Sequence, residues 1–291
     1  MHSKQLSQFI AVAEHGNFTH AAQALNIAQP PLSMSIKKLE HQLGLSLFLR
    51  QGKRVSLTLE GEVLYQHAKQ VEQKLQDANL AMDELKGLEK GEVRIGVPSM
   101  LGSYYFPEIL MAFKTRYPKL KLTVVNAGTR SIAQMLHDGA LDIGVINHST
   151  QAKNLQTDHL LTSNMVAAVG KNHPLATRSS ISFAEFFEHE LVLFESGYFH
   201  RDFIEAKARQ YQMPMQFSFE TNLLTMILSI VKNEFAITAL LEMVTDCEKD
   251  IVAIPFEEKV ELNLALAWRE QGYLSIAHRT FVEFVKQQTH S

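Results

Sequence analysis

Apolar positions near the start of the chain recur at helical spacing. Over residues 4–15, Leu6, Phe9, Ile10 and Ala13 form one stripe, and Gly16 ends the run. Asn17 or Thr19 can cap the next helix, 19–25, which places Ala21, Ala22 and Leu25 on one face. Two small residues there let another helix approach closely. Asn26, Ile27 and Ala28 make a turn. Gln29, Pro30 and Pro31 then open a second helix, since proline is tolerated where backbone N–H groups lack intrahelical partners. Leu32, Ile36 and Leu39 mark its inward face, and Gly44 stops it. Residues 45–49 are apolar, 50–54 read RQGKR and 55–58 read VSLT, a strand–turn–strand pattern. Over 59–88 there is no proline and only two glycines, near the ends. There Leu64, Ala68, Val71, Leu75, Ala78, Met82 and Leu85 alternate steps of four and three, a heptad seam about three repeats long. Thirty helical residues would extend ~45 Å.

After a break at 87–91 the pattern changes to alternating strands and helices. Strands are expected at 93–97, 120–126, 141–147, 164–170, 191–195, 217–220, 235–239 and 262–268. Helices are expected at 104–116, 131–137, 199–212, 222–233 and 275–288. Buried runs such as VRIGV, LTVVN and DIGVI between helices indicate parallel βαβ units.

The outward face of residues 29–38 carries Gln29, Ser33, Met34, Lys37 and Lys38. A short helix packed on a second one and presenting amides, hydroxyls and cations is a helix-turn-helix reader, whose second helix enters the DNA major groove. A helical hairpin with a solvated polar face is the plainer alternative. The turn with Arg50, Lys53 and Arg54 around Gly52 reads as a wing that reaches phosphate or minor groove, or else as a solvated hairpin tip. The 3.5-residue period of the seam favours pairing with a second copy over a lone amphipathic helix, and a two-fold dimer suits a palindromic site. Charge supports this division. The whole chain carries −3, yet residues 1–58 hold Lys4, Lys37, Lys38, Arg50, Lys53 and Arg54 against only Glu14 and Glu40. A basic head on an acidic body suits a DNA-binding module joined to something else.

With 291 residues, 46% of them apolar, about two domains with sizeable cores are expected. The single cysteine, Cys247, excludes an internal disulfide and fits a reducing compartment. The chain opens without a basic-then-apolar leader pattern and has no apolar run of membrane-spanning length, so the expected location is the cytoplasm. For an enzyme, the motifs G-x-G-x-x-G, P-loop, G-x-S-x-G and H-E-x-x-H are missing. The 13 histidines lack metal spacing, so no catalytic residue, cofactor or metal is expected. A secreted binding protein would leave residues 1–91 unexplained.

The chain resembles the LysR-type transcriptional regulators along its full length. The resemblance rests on Ala21, Ala22, Gln29, Pro30, Leu32, Ser33, Ile36, Leu39, Glu40, Leu43, Gly44, Leu47, Phe48, Arg50, Leu57, Thr58 and Gly61. Weaker matches follow at Asp142, Ile143 and Gly144 and at His173, Pro174, Leu175 and Ala176. The resemblance implies an α+β multidomain protein. Its parts are a mostly α winged helix-turn-helix at 1–58, a dimerising linker helix at 59–90 and an effector-binding domain at 91–291. That last domain is similar to type 2 periplasmic binding proteins, with two α/β (Rossmann-like) subdomains, 91–162 with 269–291 and 163–268. The chain would cross between them at about 161–164 and return near Arg269. The implied partners are double-stranded promoter DNA, a small effector with anionic metabolites among the candidates, and further copies in a homodimer or homotetramer. On the DNA side this points to Asn17, Thr19, Gln29, Pro30, Pro31, Ser33, Met34, Lys37, Lys38, Arg50, Lys53, Arg54 and Thr58.

Three departures from the family pattern matter. Ala28 stands where the family usually has a capping serine, and Met34 where it often has arginine. Glu234, Phe235, Ala236 and Ile237 replace a Gly-x-Gly-Ile run, which predicts ordinary backbone there and an altered cleft. The cleft follows from topology, because ligands of open parallel sheets sit beyond the strands' carboxyl ends. Those ends bring Ser99, Met100, Gly102, Ser103, Thr129 and Asn147 from the first subdomain and Phe194, Phe199, His200 and Thr221 from the second. Hydroxyls beside free helix amides form an anion site, although loop capping explains any one of these residues alone.

Overall fold

The inward stripes read from the sequence become the core of the first unit. In a computed structural model, the described residues are 1–51, 54–85, 91–148 and 154–289. They divide into two units, Met1–Lys86 and Gly87–Ser291. In the first, α1 (Ser3–His15), α2 (Phe18–Ala24) and α3 (Gln29–Leu43) pack together. They are followed by β1 (Phe48–Gln51), β2 (Arg54–Leu57) and α4 (Leu59–Leu85). Phe9, Val12, Ala21, Leu32, Ile36 and Leu39 are fully buried, and Phe48 closes the cluster against Phe9 at a ring separation of 5.2 Å. Gly16 and Gly44 end α1 and α3 in the left-handed conformation, at φ 56° and 69°, which a glycine adopts without a Cβ penalty. The β1–β2 hairpin is antiparallel, with Phe48 opposite Leu57. It is anchored to the end of α3 through Glu40, whose Oε1 accepts from the Leu47 and Phe48 amides at 2.9 and 3.3 Å.

The second unit runs through β3 (Glu92–Val97), α5 (Ser99–Tyr104), α6 (Phe106–Arg116), β4 (Lys121–Asn126), α7 (Thr129–His137), β5 (Ile143–Asn147) and β6 (Leu155–Gly170). It continues through α8 (Phe183–Phe187), β7 (Leu191–Leu193), α9 (Phe199–Tyr211), β8 (Phe217–Glu220) and α10 (Leu224–Lys232). The last elements are β9 (Thr238–Leu241), α11 (Glu242–Cys247), β10 (Ile251–Pro255), β11 (Glu261–Arg269) and α12 (Ile276–Thr289). The large sheet has the order β10–β6–β11–β5–β3–β4, with β9 also paired to β6.

The expected parallel pairing holds for β3 with β4 and β5, and for β7 with β8. It fails for β6, β9, β10 and β11, which pair antiparallel. The long β6 and β11 are continuous across both halves of the unit. Residues 264–267 of β11 pair with β5, and the β11–β6 register shifts between Leu264 and Ala265.

Two further expectations are corrected. Residues 104–116 do not form one helix. The chain breaks at Tyr105, and Pro107 in the first turn of α6 restarts it, as proline does where an N–H is dispensable. Nor is the backbone at Glu234 ordinary. It sits at φ 60°, and its amide closes the turn after α10 by donating to Val231 O at 3.0 Å. The conformation that favours glycine is retained without the glycine, and the strand beyond it begins at Thr238, three residues later than the pattern suggested.

At the opposite end of the strands from the cleft residues, Arg94 meets Asp142 with 2.9 and 3.2 Å side-chain contacts, and His278 Nε2 lies 3.4 Å from the same carboxylate. Burial alone would raise the Asp142 pKa. The hydrogen bonds from His278 and Arg94 outweigh it and hold the carboxyl at about 2.

Candidate nucleic-acid interface and ligand cleft

Because Leu32, Ile36 and Leu39 point inward, Gln29, Pro30, Pro31, Met34, Lys37 and Lys38 of α3 are exposed and Ser33 is half-buried. Met34 is 69% exposed. A thioether so placed offers only apolar contact, which among base edges suits the thymine methyl. Ala28 gives α3 no side-chain cap. Because Pro30 and Pro31 carry no N–H, only the Gln29 amide of the first turn is left without an intrahelical partner.

Asn17 is half-buried, and its Oδ1 accepts from Thr19 N at 2.7 Å and His20 N at 3.3 Å, so it caps α2 while Thr19 stays exposed. Thr58 is committed elsewhere. Its hydroxyl donates to Ser46 O at 2.8 Å and accepts from Gly61 N at 2.9 Å, which fixes the start of α4. Arg54 is exposed at the start of β2. Lys53 and the side chain of Arg50 lie outside the described residues.

The heptad seam divides. Ala68 is 1% exposed and half-buried Leu64 packs beside it, both within the core of their own unit. Ala68 has no surface left for a second copy, because α1 and β2 already cover that end of α4, while half-buried Leu64 keeps part of its own. Val71, Leu75 and Met82 are 44–51% exposed, and Ala78 is exposed too. The Leu85 side chain lies outside the described residues.

In the second unit the strand ends converge. Ser99, first residue of α5, donates to Asn126 Oδ1 at 3.2 Å and also bonds Tyr198. Burial raises the Tyr198 phenol, and the bond to Ser99 partly offsets this. Met100 is buried, with its sulfur 3.4 Å from the Leu241 amide. Thr129, first residue of α7, is buried, Asn147 and Gly102 are half-buried, and Ser103 is exposed. Phe194 and Phe199 are buried. Thr221 Oγ1 accepts from Leu223 N at 3.1 Å and so caps the approach to α10.

Opposite sides of this region touch. A Cβ on Gly128 would lie 2.5 Å from Gly197 O, so only glycine permits that approach. Arg130 reaches Asp202 at 2.8 Å. Arg201, 5% exposed, donates to Glu205 and Glu220 at 2.7 Å and to Phe194 O at 3.2 Å. His200 is 4% exposed, and neither ring nitrogen has a hydrogen-bond partner. Burial pushes its pKa down to about 3, so the imidazole is neutral near pH 7.

Asn126, Arg130 and Asp202 escaped the sequence-based selection of site residues. Asn126 carries no motif, and the Arg130–Asp202 pair joins residues 72 positions apart.

Residues 3–62 match the family described as "Bacterial regulatory helix-turn-helix protein, lysR family", and residues 86–290 match "LysR substrate binding domain". The chain is a LysR-family transcriptional regulator. Among its relatives is the HTH-type transcriptional regulator YwbI of Bacillus subtilis, 29% identical over 289 residues, covering 98% of this chain and 96% of that one. A full-length OxyR variant from Pseudomonas aeruginosa superimposes with a TM-score of 0.73 at 22% identity, over 100% of this chain and 95% of that one. CbnR complexed with its target DNA gives 0.65 at 21% identity, over 99% of both. Like its family, the regulator is not an enzyme. Among the described residues no helix of the regulator is long and apolar enough to cross a membrane.

Proposed function

We propose that this regulator binds promoter DNA as a dimer or tetramer in the cytoplasm and changes its grip when a small molecule enters the cleft of its second unit. The observation that carries the reading is the exposed face of α3, where an amide, two prolines, a thioether and two cations stand over a fully buried stripe. Gln29 meets base edges and Pro30 and Met34 thymine methyls, while Ser33, Lys37, Lys38, Thr19, Arg50, Lys53 and Arg54 meet phosphate or groove. The domain scheme is 1–58 reader and wing, 59–90 dimerising helix and 91–291 effector domain, with Val71, Leu75, Ala78 and Met82 as the exposed part of the seam. CbnR, similar over nearly its whole length, is described with its target DNA, which supports the same use of this head.

The effector site is assigned to Ser99, Thr129, Asn147, Phe194, Phe199, His200 and Thr221, with Met100, Gly102 and Ser103 beside them. Effector control requires unequal affinity for two arrangements of the assembly, not merely tight binding. A mobility shift with DNA upstream of the regulator's own gene, followed by footprinting with and without metabolite pools, tests the reading. A protected palindrome whose extent changes with ligand is expected. Absence of any protected site, there or after selection from random DNA, overturns it.

A further inference from the structure

We propose that the cleft takes a small hydroxyl-bearing molecule of low net charge, read by His200 and Asn222. This rests on the effector reading above and specifies its chemistry. Among the described residues, three buried side-chain atoms lack a hydrogen-bond partner: Nδ1 and Nε2 of His200 and Oδ1 of Asn222. Native proteins seldom leave such atoms orphaned, so each of them needs an explanation. His200 and Asn222 both touch the segment that follows β7. The His200 ring meets the Phe194 ring edge-on at 4.0 Å, and Asn222 Nδ2 donates to Glu195 at 2.5 Å. His200 also lies in the first turn of α9, a helix with no side-chain cap, whose opening amides have no intrahelical partner.

The inventory selects the ligand. A neutral imidazole offers one N–H donor and one acceptor, and Asn222 Oδ1 adds a second acceptor. A hydroxyl answers both kinds, because it donates and accepts. A carboxylate or phosphate oxygen only accepts and would face two acceptors unanswered. Charge points the same way. Arg201 is committed to Glu205 and Glu220, and Arg130 to Asp202. Glu195 and Glu220 add negative charge beside the same segment. One carboxylate on the ligand can be met by the α9 amides, but a second or third charge finds no spare guanidinium here. The class is therefore a polyol, cyclitol, sugar or hydroxylated monocarboxylate, rather than a sugar phosphate or a di- or tricarboxylate.

Calorimetry and melting of the full chain test this with two probe sets. The first is myo-inositol, D-glucose, D-gluconate and quinate. The second is citrate, glucose 6-phosphate and fructose 1,6-bisphosphate. At least one probe of the first set should bind wild type. Its affinity should fall at least tenfold in His200→Phe and in Asn222→Leu, and be partly kept in His200→Gln, which retains a donor and an acceptor without titrating. Without ligand, His200→Phe should melt no lower than wild type, since no partnered atom is lost. A lower melt would mean that the imidazole is already satisfied, and would overturn the proposal. So would binding confined to the second set, or no binding by the first. A probe lost in Ser99→Ala/Thr129→Ala but unaffected in His200→Phe and Asn222→Leu overturns this inference and leaves the cleft standing. A probe untouched by all these substitutions overturns the cleft assignment itself.

Discussion

The two units hold their functional groups in opposite ways. On α3 the groups are exposed, and they owe their position to the buried stripe of Leu32, Ile36 and Leu39 on the other face of the same helix. In the cleft Ser99 and Arg201 are buried and tied to residues distant in sequence, Ser99 to Asn126 and Arg201 to Glu220, and the exposed Arg130–Asp202 pair makes a similar long-range tie. A surface that must meet a long, charged polymer can be read from one helical period. A pocket that must enclose a small molecule is assembled from many strand ends, and its electrostatics are settled internally before any ligand arrives.

The contrast is broken most severely on α4. Leu75 is 47% exposed on the seam, and we expect it to face its own copy in the dimer. Leu75→Glu would set like charges across that axis, and losing bivalent attachment should weaken operator binding by roughly 100-fold or more. Sedimentation should show the loss of dimer along with the loss of the gel shift. Unchanged sedimentation would move the dimer contact away from this seam.

The next effect belongs to the buried side. His200 titrates at about 3 when folded and near 6.5 when unfolded, so the unfolded chain binds the extra proton between those values. Its contribution to stability is fully present above pH 6.5 and is lost as pH falls toward 3. Asp142 loses its contribution only below its ordinary value of 3.8, toward about 2. His173, which burial also pushes down, is common to wild type and His200→Phe, so the difference between the two proteins from pH 4.5 to 7 reports His200. Over that range wild type should lose about 2–3 kcal/mol relative to His200→Phe. Denaturant melts at both pH values measure it, and parallel pH profiles for the two proteins would show that the ring is not buried neutral.

On the exposed side the effects are smaller and local. Gln29→Ala should cost about 1–3 kcal/mol at one base pair and relax preference there. Lys38→Ala should weaken all sites alike and reduce the salt slope by about 1. Binding titrations over a mutated operator series at several salt concentrations separate the two. Wild-type behaviour in both variants would remove α3 from the major groove.

Legibility followed the same division. The bounds of α3 could be read because Gln29, Pro30 and Pro31 open it, Gly44 closes it and its buried stripe has one period. The seam was overread, since a 3.5-residue repeat does not reveal that Ala68 is already covered by its own unit. Strands β6 and β11 were read short and as members of parallel units, because a buried apolar run carries no information about strand direction. His200 could be placed near the cleft by topology, but its lack of partners emerges only once the rings of Phe194, Tyr198 and Phe199 surround it.

The smallest effect is expected at Glu234. The side chain is exposed, so its replacement removes little packing, while its backbone at φ 60° is left-handed. A non-glycine residue in that conformation carries a strain of order 1 kcal/mol that glycine avoids, although glycine gives back part of this through a freer unfolded chain. The turn itself is fixed by the Glu234 amide to Val231 O and the Phe235 amide to Ile230 O, at 3.0 and 3.3 Å, and those bonds survive substitution. Glu234→Gly should therefore stabilise the protein by about 0.5–1 kcal/mol, and Glu234→Val, β-branched at positive φ, should destabilise it by at least as much. Denaturant midpoints at constant slope measure both. A destabilised Glu234→Gly with an ordinary Glu234→Val would mean that the left-handed turn does not exist in solution and that the segment from α10 to β9 follows the ordinary path its sequence suggested.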